Sequence, residues 1–111
     1  MSIDIISPAP GSKAVFFDRR ELDQILRVYG RMVAAGEWRD YAIDSGLEAV
    51  SFAVFRRASE APLYRIEKRP ALARKQGAWS VISQGGLIMK RAHELAQALR
   101  VFDKGKFSVV E

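Results

Sequence analysis

The side chains best placed to do chemistry in this chain are the cations between Arg56 and Lys75, and that chemistry is recognition of anions. Arg56, Arg57, Arg65, Lys68, Arg69, Arg74 and Lys75 stand against Glu60 and Glu67, so the stretch carries 7 − 2 = +5. That equals the formal net charge of the whole chain, and the other 11 basic and 11 acidic residues sum to zero. A localised positive field favours phosphate-rich or acidic surfaces. Arginines outnumber lysines 12 to 6. Planar guanidinium suits bidentate phosphate pairing, although a GC-rich genome produces the same ratio. Phe55 lies among Arg57, Arg65 and Arg69 and offers a ring for base stacking or a cation–π contact.

A second constellation is Glu37-Trp38-Arg39-Asp40-Tyr41. Trp, Tyr and Arg are enriched at binding hot spots, so Trp38, Arg39 and Tyr41 form a candidate one. The plainer reading is strand alternation. Trp38, Asp40 and Ala42 then face one way and Arg39, Tyr41 and Ile43 the other, with one aromatic in the core and its neighbour partly covered.

Catalytic and metal chemistry find little support. Glu37, Asp40, Asp44 and Glu48 are close in sequence, but on a strand Asp40 and Asp44 stand about 13 Å apart on one face, too far to chelate together. His93 is the single histidine. It has no cysteine and no recognisable Ser or Asp partner, and at the start of a helix it reads as covering the helix end rather than acting as a base. Gly85-Gly86 reads as a hairpin turn, because no Gly-Lys pair or helix start follows it. No catalytic, cofactor-binding or metal-ligating residue is therefore expected.

These side chains need positioning elements, and 111 residues suffice for one domain. At 49% hydrophobic and 28% charged the composition is that of an ordinary globule. The absence of cysteine excludes disulfides and thiolate metal sites and fits a reducing compartment. Met1 to Lys13 has no basic n-region, so it does not read as a signal peptide, and no apolar run approaches a membrane span. The expected location is the cytoplasm, with no membrane partner.

Residues 1–13 read as a flexible lead-in, rich in Pro and Gly around Ser7 to Ser12, and 14–111 as a single α+β domain. Asp18 and Glu21 form a capping box, with Phe17 and Leu22 as the staple. Leu22, Ile25, Leu26, Tyr29, Met32 and Val33 then recur on one helical stripe. Gly36 is placed as the residue after the helix cap, and Gly30 is either a close approach or simply tolerated.

The period then changes to 2. Strands are expected over Trp38 to Ile43, Glu48 to Arg57, Pro62 to Arg69, Trp79 to Ser83 and Leu87 to Arg91. The second strand, small or apolar on both faces, belongs inside the sheet. Keeping Tyr64 and Ile66 on the face of Phe52 and Val54 puts Arg57, Arg65 and Arg69 on the other, because a one-residue slip would bury the charges. Residues 70–77 form a basic connector that either leaves this face free or covers it. Ala92 to Asp103 reads as a second helix, and Phe107, Val109 and Val110 as a last short strand. The fold class is therefore α+β, an antiparallel sheet of about five strands with an N-terminal and a C-terminal helix packed on one face.

The run from Phe17 to Asp44 resembles a bacterial family known as a domain of unknown function, number twenty-seven ninety-four. So do Phe55-Arg56-Arg57, the segment Pro62 to Lys68, and Leu99-Arg100-Val101-Phe102. The resemblance covers nearly all of the chain from Phe17 onward, and the string from Tyr29 to Tyr41 is long and unusual. It implies a small bacterial cytoplasmic protein and carries no activity or site residue with it.

Taken together, the residues favour a non-catalytic binding module that contacts a protein partner or itself through its sheet. The alternative is a nucleic-acid-associated module using Arg57, Arg65, Arg69, Arg74 and Lys75, with Phe55, on the basic face.

Overall fold

The structure, a computed structural model, describes residues 14–57 and 61–103. The lead-in, Glu60 and the strand expected around Phe107, Val109 and Val110 lie outside the described residues.

Helix α1 (Arg19–Ala34) starts at the capping box. Asp18 Oδ1 accepts from the Glu21 amide at 2.9 Å, and Glu21 Oε1 accepts from the Asp18 amide at 2.9 Å. It stops at Gly36, whose φ is 79°. Glu37 N donates to Met32 O and Gly36 N to Val33 O, both at 2.9 Å, so the last carbonyls are satisfied by a Schellman motif. The buried stripe is Ile25, Val28, Tyr29 and Met32. Val28 replaces the expected Val33, which is 40% exposed.

Five strands follow: β1 (Asp40–Ser45), β2 (Val50–Phe55), β3 (Tyr64–Lys68), β4 (Trp79–Ser83) and β5 (Ile88–Ala92). They pair antiparallel in chain order, so every connection is between neighbours. Helix α2 (Leu95–Leu99) follows and runs into a 3-10 turn, Arg100–Phe102. Among the described residues the architecture is thus α+β, with a five-stranded antiparallel sheet and two α-helices.

Register decides the two faces of the sheet. Ile43, Phe52, Ile66 and Val81 lie in one row across β1 to β4, and Tyr41, Val54, Tyr64 and Ser83 in the next. Phe52, Val54, Ile66 and Val81 are fully buried. Phe52 opposite Ile66 and Val54 opposite Tyr64 are the pairings that keep Arg65 off this face. Tyr29 of α1 lies 4.8 Å from the Tyr41 ring and 5.9 Å from Phe52. Phe102, after α2, lies 5.0 Å from Trp38 and 5.2 Å from Tyr64.

Two expected boundaries move. Trp38 precedes β1 instead of opening it, because its amide, like that of Glu37, bonds back to Met32 O at the helix end. The second helix starts at Leu95, three residues late, because Ala92 pairs with Trp79 as the last residue of β5.

The two informative glycines behave oppositely. A Cβ at Gly30, exposed on α1, meets nothing within 4 Å. A Cβ at Gly77, where φ is 106°, runs into the Ala92 carbonyl. Gly30→Ala should therefore raise unfolding free energy by about 0.5–1 kcal/mol. Gly77→Ala should lower it by at least about 2 kcal/mol, through positive φ and the clash together. Urea unfolding of both variants beside the parent checks the pair.

Candidate functional site

The basic stretch is divided by the fold. Arg65 is the second residue of β3, exposed, with Ala53 and Ile82 beside it on the neighbouring strands. Phe55 ends β2 on the same face, half-buried and opposite Asp40. Arg57 lies past the end of β2, and Arg74 and Lys75 lie in the connector, all three exposed. Arg69 follows β3, and acids come with it: Nη1 is 3.3 Å from Glu48 and Nε 3.4 Å from Glu67. Arg56 pairs with Glu37 at 3.5 Å, an exposed contact of little energetic weight.

Lys68 points to the opposite face. Its Nζ donates to Glu21 Oε1 at 2.7 Å and to Phe16 O at 2.9 Å, and stands 5.8 Å from the Trp79 ring centroid. Its alternation partner Glu67 could have been foreseen on the arginine face, since residues 65, 67 and 69 share parity. The arrival of Glu48 could not. Arg57, Arg65, Arg74 and Lys75 form no ion pair among the described residues.

The connector does not lie loose. It makes a 3-10 turn at Pro70–Leu72, and Arg69 N bonds to Ala78 O at 2.7 Å. His93 stands before α2, where its Nδ1 is 3.1 Å from Ala73 O. A carbonyl only accepts, so Nδ1 carries the proton and the ring serves to hold the connector against the end of β5. Gly85 and Gly86 are the hairpin turn between β4 and β5, at φ 92° and 89°.

The candidate hot spot is not a surface. Trp38 is 2% and Tyr41 7% exposed, leaving only Arg39 in solvent. This corrects the expectation that one of the two rings is partly covered surface: Trp38 lies outside the strand, so alternation does not govern it. Tyr29 OH donates to Arg39 O at 2.6 Å. Burial pushes the Tyr29 hydroxyl above its ordinary pKa, and the nearby Asp40 charge and Tyr41 add to the rise. Burial alone raises Tyr41.

Asp40 and Asp44 lie on β1, opposite Phe55 and Ser51. Among the described residues no group of three or more His, Asp and Glu could hold a metal ion, and no helix is long and apolar enough to cross a membrane.

Sequence reasoning missed the most exposed apolar run. Leu87, Ile88 and Met89 are 69%, 47% and 39% exposed. Ile88 and Met89 belong to β5, which among the described strands has one neighbour, β4. The opposite edge, β1, carries Asp40 and Asp44 instead. The signal was present as Gly86-Leu87-Ile88-Met89-Lys90-Arg91, an apolar run with no alternation.

The family described as Protein of unknown function (DUF2794) matches residues 15–99, and the chain belongs to it. No curated protein and no solved structure matches the chain.

The two tyrosines set an alkaline limit on stability. Their folded pKa values lie above the unfolded ones, so the contribution is complete below about pH 10 and is lost as pH rises through the folded values. Unfolding free energy should therefore fall above about pH 10, and the combined Tyr29→Phe, Tyr41→Phe variant should flatten that limb. Denaturant titrations between about pH 8 and 11.5 measure it.

Proposed function

We propose that this member of the DUF2794 family is a non-catalytic, cytoplasmic protein-interaction module that takes a partner's strand against the β5 edge. Both helices pack on one face of the sheet in this reading. Tyr29 from α1 meets Tyr41 and Phe52, and Phe102 after α2 meets Tyr64, all from the same face of the strands. The observation that carries the reading is the exposure of Leu87, Ile88 and Met89 on a strand with a single described neighbour. Sheet edges are usually defended by charge, proline or cover, because their open N–H and C=O groups template further pairing. Here the apolar side chains supply affinity beside the main-chain bonds of strand addition.

Lys90 and Arg91 follow directly, which sets the partner's chemistry: an extended apolar segment flanked by acidic residues. A second copy of the chain is less complementary, because it brings the same two cations. The nucleic-acid reading is weakened by Arg69, whose guanidinium already meets Glu48 and Glu67.

Fluorescence anisotropy with a labelled peptide of alternating valine and threonine, closed by glutamates, tests the reading. Saturable binding is expected, weakened at least about tenfold by Ile88→Lys with Met89→Lys. The exposed-face variant Arg57→Ser, Arg65→Ser, Arg74→Ser, Lys75→Ser should bind the peptide normally. Absence of peptide binding, together with single-stranded DNA binding whose log–log salt slope is about −3 and which this four-site variant abolishes, would replace the proposal with the nucleic-acid reading.

A further inference from the structure

Where β5 runs into α2 the surface opens into a cavity of about 400 Å³. Lys90, Arg91, His93, Gln97 and Arg100 line it, and no carboxylate does. Lys90 and Arg100 are exposed. None of the three cations forms an ion pair among the described residues. The acids nearest in sequence do not reach the cavity lining: Asp103 is held by Arg31 at 2.8 Å, and Glu94 is the exposed N-cap residue of α2.

Lys90 and Arg91 lie opposite Val81 and Ser80, so they take opposite faces of β5: Lys90 the face of Phe52 and Ile66, and Arg91 the face of Glu67. The side chains that face the cavity are donors almost throughout: the Lys90 ammonium, the Arg100 guanidinium and the Gln97 amide. His93 is already oriented, since its Nδ1 proton is given to Ala73 O.

We propose that this cavity binds the phosphoryl group of a small phosphate ester. Two cations with no counter-ion among the described residues, beside an amide donor, match a doubly charged tetrahedral anion better than a single carboxylate, because several oxygens can each take a hydrogen bond. The volume lies in the range of small-molecule sites and exceeds what inorganic phosphate fills, leaving room for the esterified group. The site shares Lys90 with the charges beside the β5 edge, but Gln97 and Arg100 belong to it alone, so loss of monophosphate binding in Arg100→Ala and loss of peptide binding in Ile88→Lys with Met89→Lys tell the two readings apart.

Calorimetric titration of the full chain tests the proposal, using inorganic phosphate, adenosine 5′-monophosphate and a single-stranded oligonucleotide as separate probes. One-to-one, saturable binding of the monophosphate is expected, tighter than inorganic phosphate. Lys90→Ala and Arg100→Ala should each weaken it about tenfold, with unchanged melting temperature because both side chains are exposed. Arg57→Ser with Arg65→Ser, on the other basic surface, should leave it unchanged. Arg100→Gln, which keeps length and removes charge, should behave as Arg100→Ala. The proposal is overturned by absence of saturable binding at millimolar monophosphate. It is equally overturned by equal weakening in the Arg57 and Arg65 variant, or by binding of the oligonucleotide alone.

Discussion

A continuous set of aromatic rings holds this molecule together, and most of what the surface offers follows from which rings it uses. Tyr41 and Phe52 stack across β1 and β2 with centroids 4.5 Å apart. Tyr29 meets both edge-on from α1. Trp38 lies 6.3 Å from Tyr29 and 6.3 Å from Tyr64, and Phe102 closes on Trp38 and Tyr64. The N-terminal helix, three strands and the last turn thus share one packed contact set. Ring pairs of this kind are worth about 0.5–1.5 kcal/mol each beyond their buried area. Trp38 joins the set from outside the strand, its amide directed back to Met32 O at the helix end. Residues whose types suggest a binding hot spot are here the interior.

Charge is used in the same economy of placement. Glu21 closes the capping box through Oε1 and with that same oxygen receives Lys68. Helix start and the end of β3 are thereby joined through one carboxylate. The two side chains are 19% and 20% exposed, so this pair is more shielded from water than the Arg56–Glu37 contact. Lys68 belongs to the stretch that holds the chain's net charge, yet it works as an internal strut. Arg69, two acids around it, contributes little free field. A positive sum along a segment therefore overstates the positive surface that the segment presents.

What was legible in the sequence was local. The capping box and the Gly36 stop need only a few residues and were both readable, as was the β2–β3 register, because Arg65 would otherwise be buried. The second helix was read too long because Ala92 has good helix propensity but is claimed by Trp79 across the sheet. Pairing partners of that kind are tertiary and leave no local mark. Glu48 reaching Arg69 is another instance. The cluster of Lys90, Arg91, His93 and Arg100 was hidden differently. Its residues are visible in the chain, but a charge sum balances them against Glu94 and Asp103, and Asp103 is in fact held by Arg31.

The two sheet edges carry opposite designs, and the contrast bears on how the molecule meets others. Strand β1 has an acid near each end, Asp40 and Asp44, which discourages another strand from pairing there. Strand β5 has apolar residues first and cations after, with a register irregularity at Val81 and Ile82 that interrupts the ladder beneath it. Such an edge is neither closed nor indiscriminate. A copy of the same strand brings the same two cations and no acid to meet them, so it gains no attraction beyond the apolar contact. An acidic segment adds attraction to the same gain. Under the proposed strand addition, selectivity at β5 comes from the charges that border the apolar run rather than from the run itself, which any hydrophobic strand could cover.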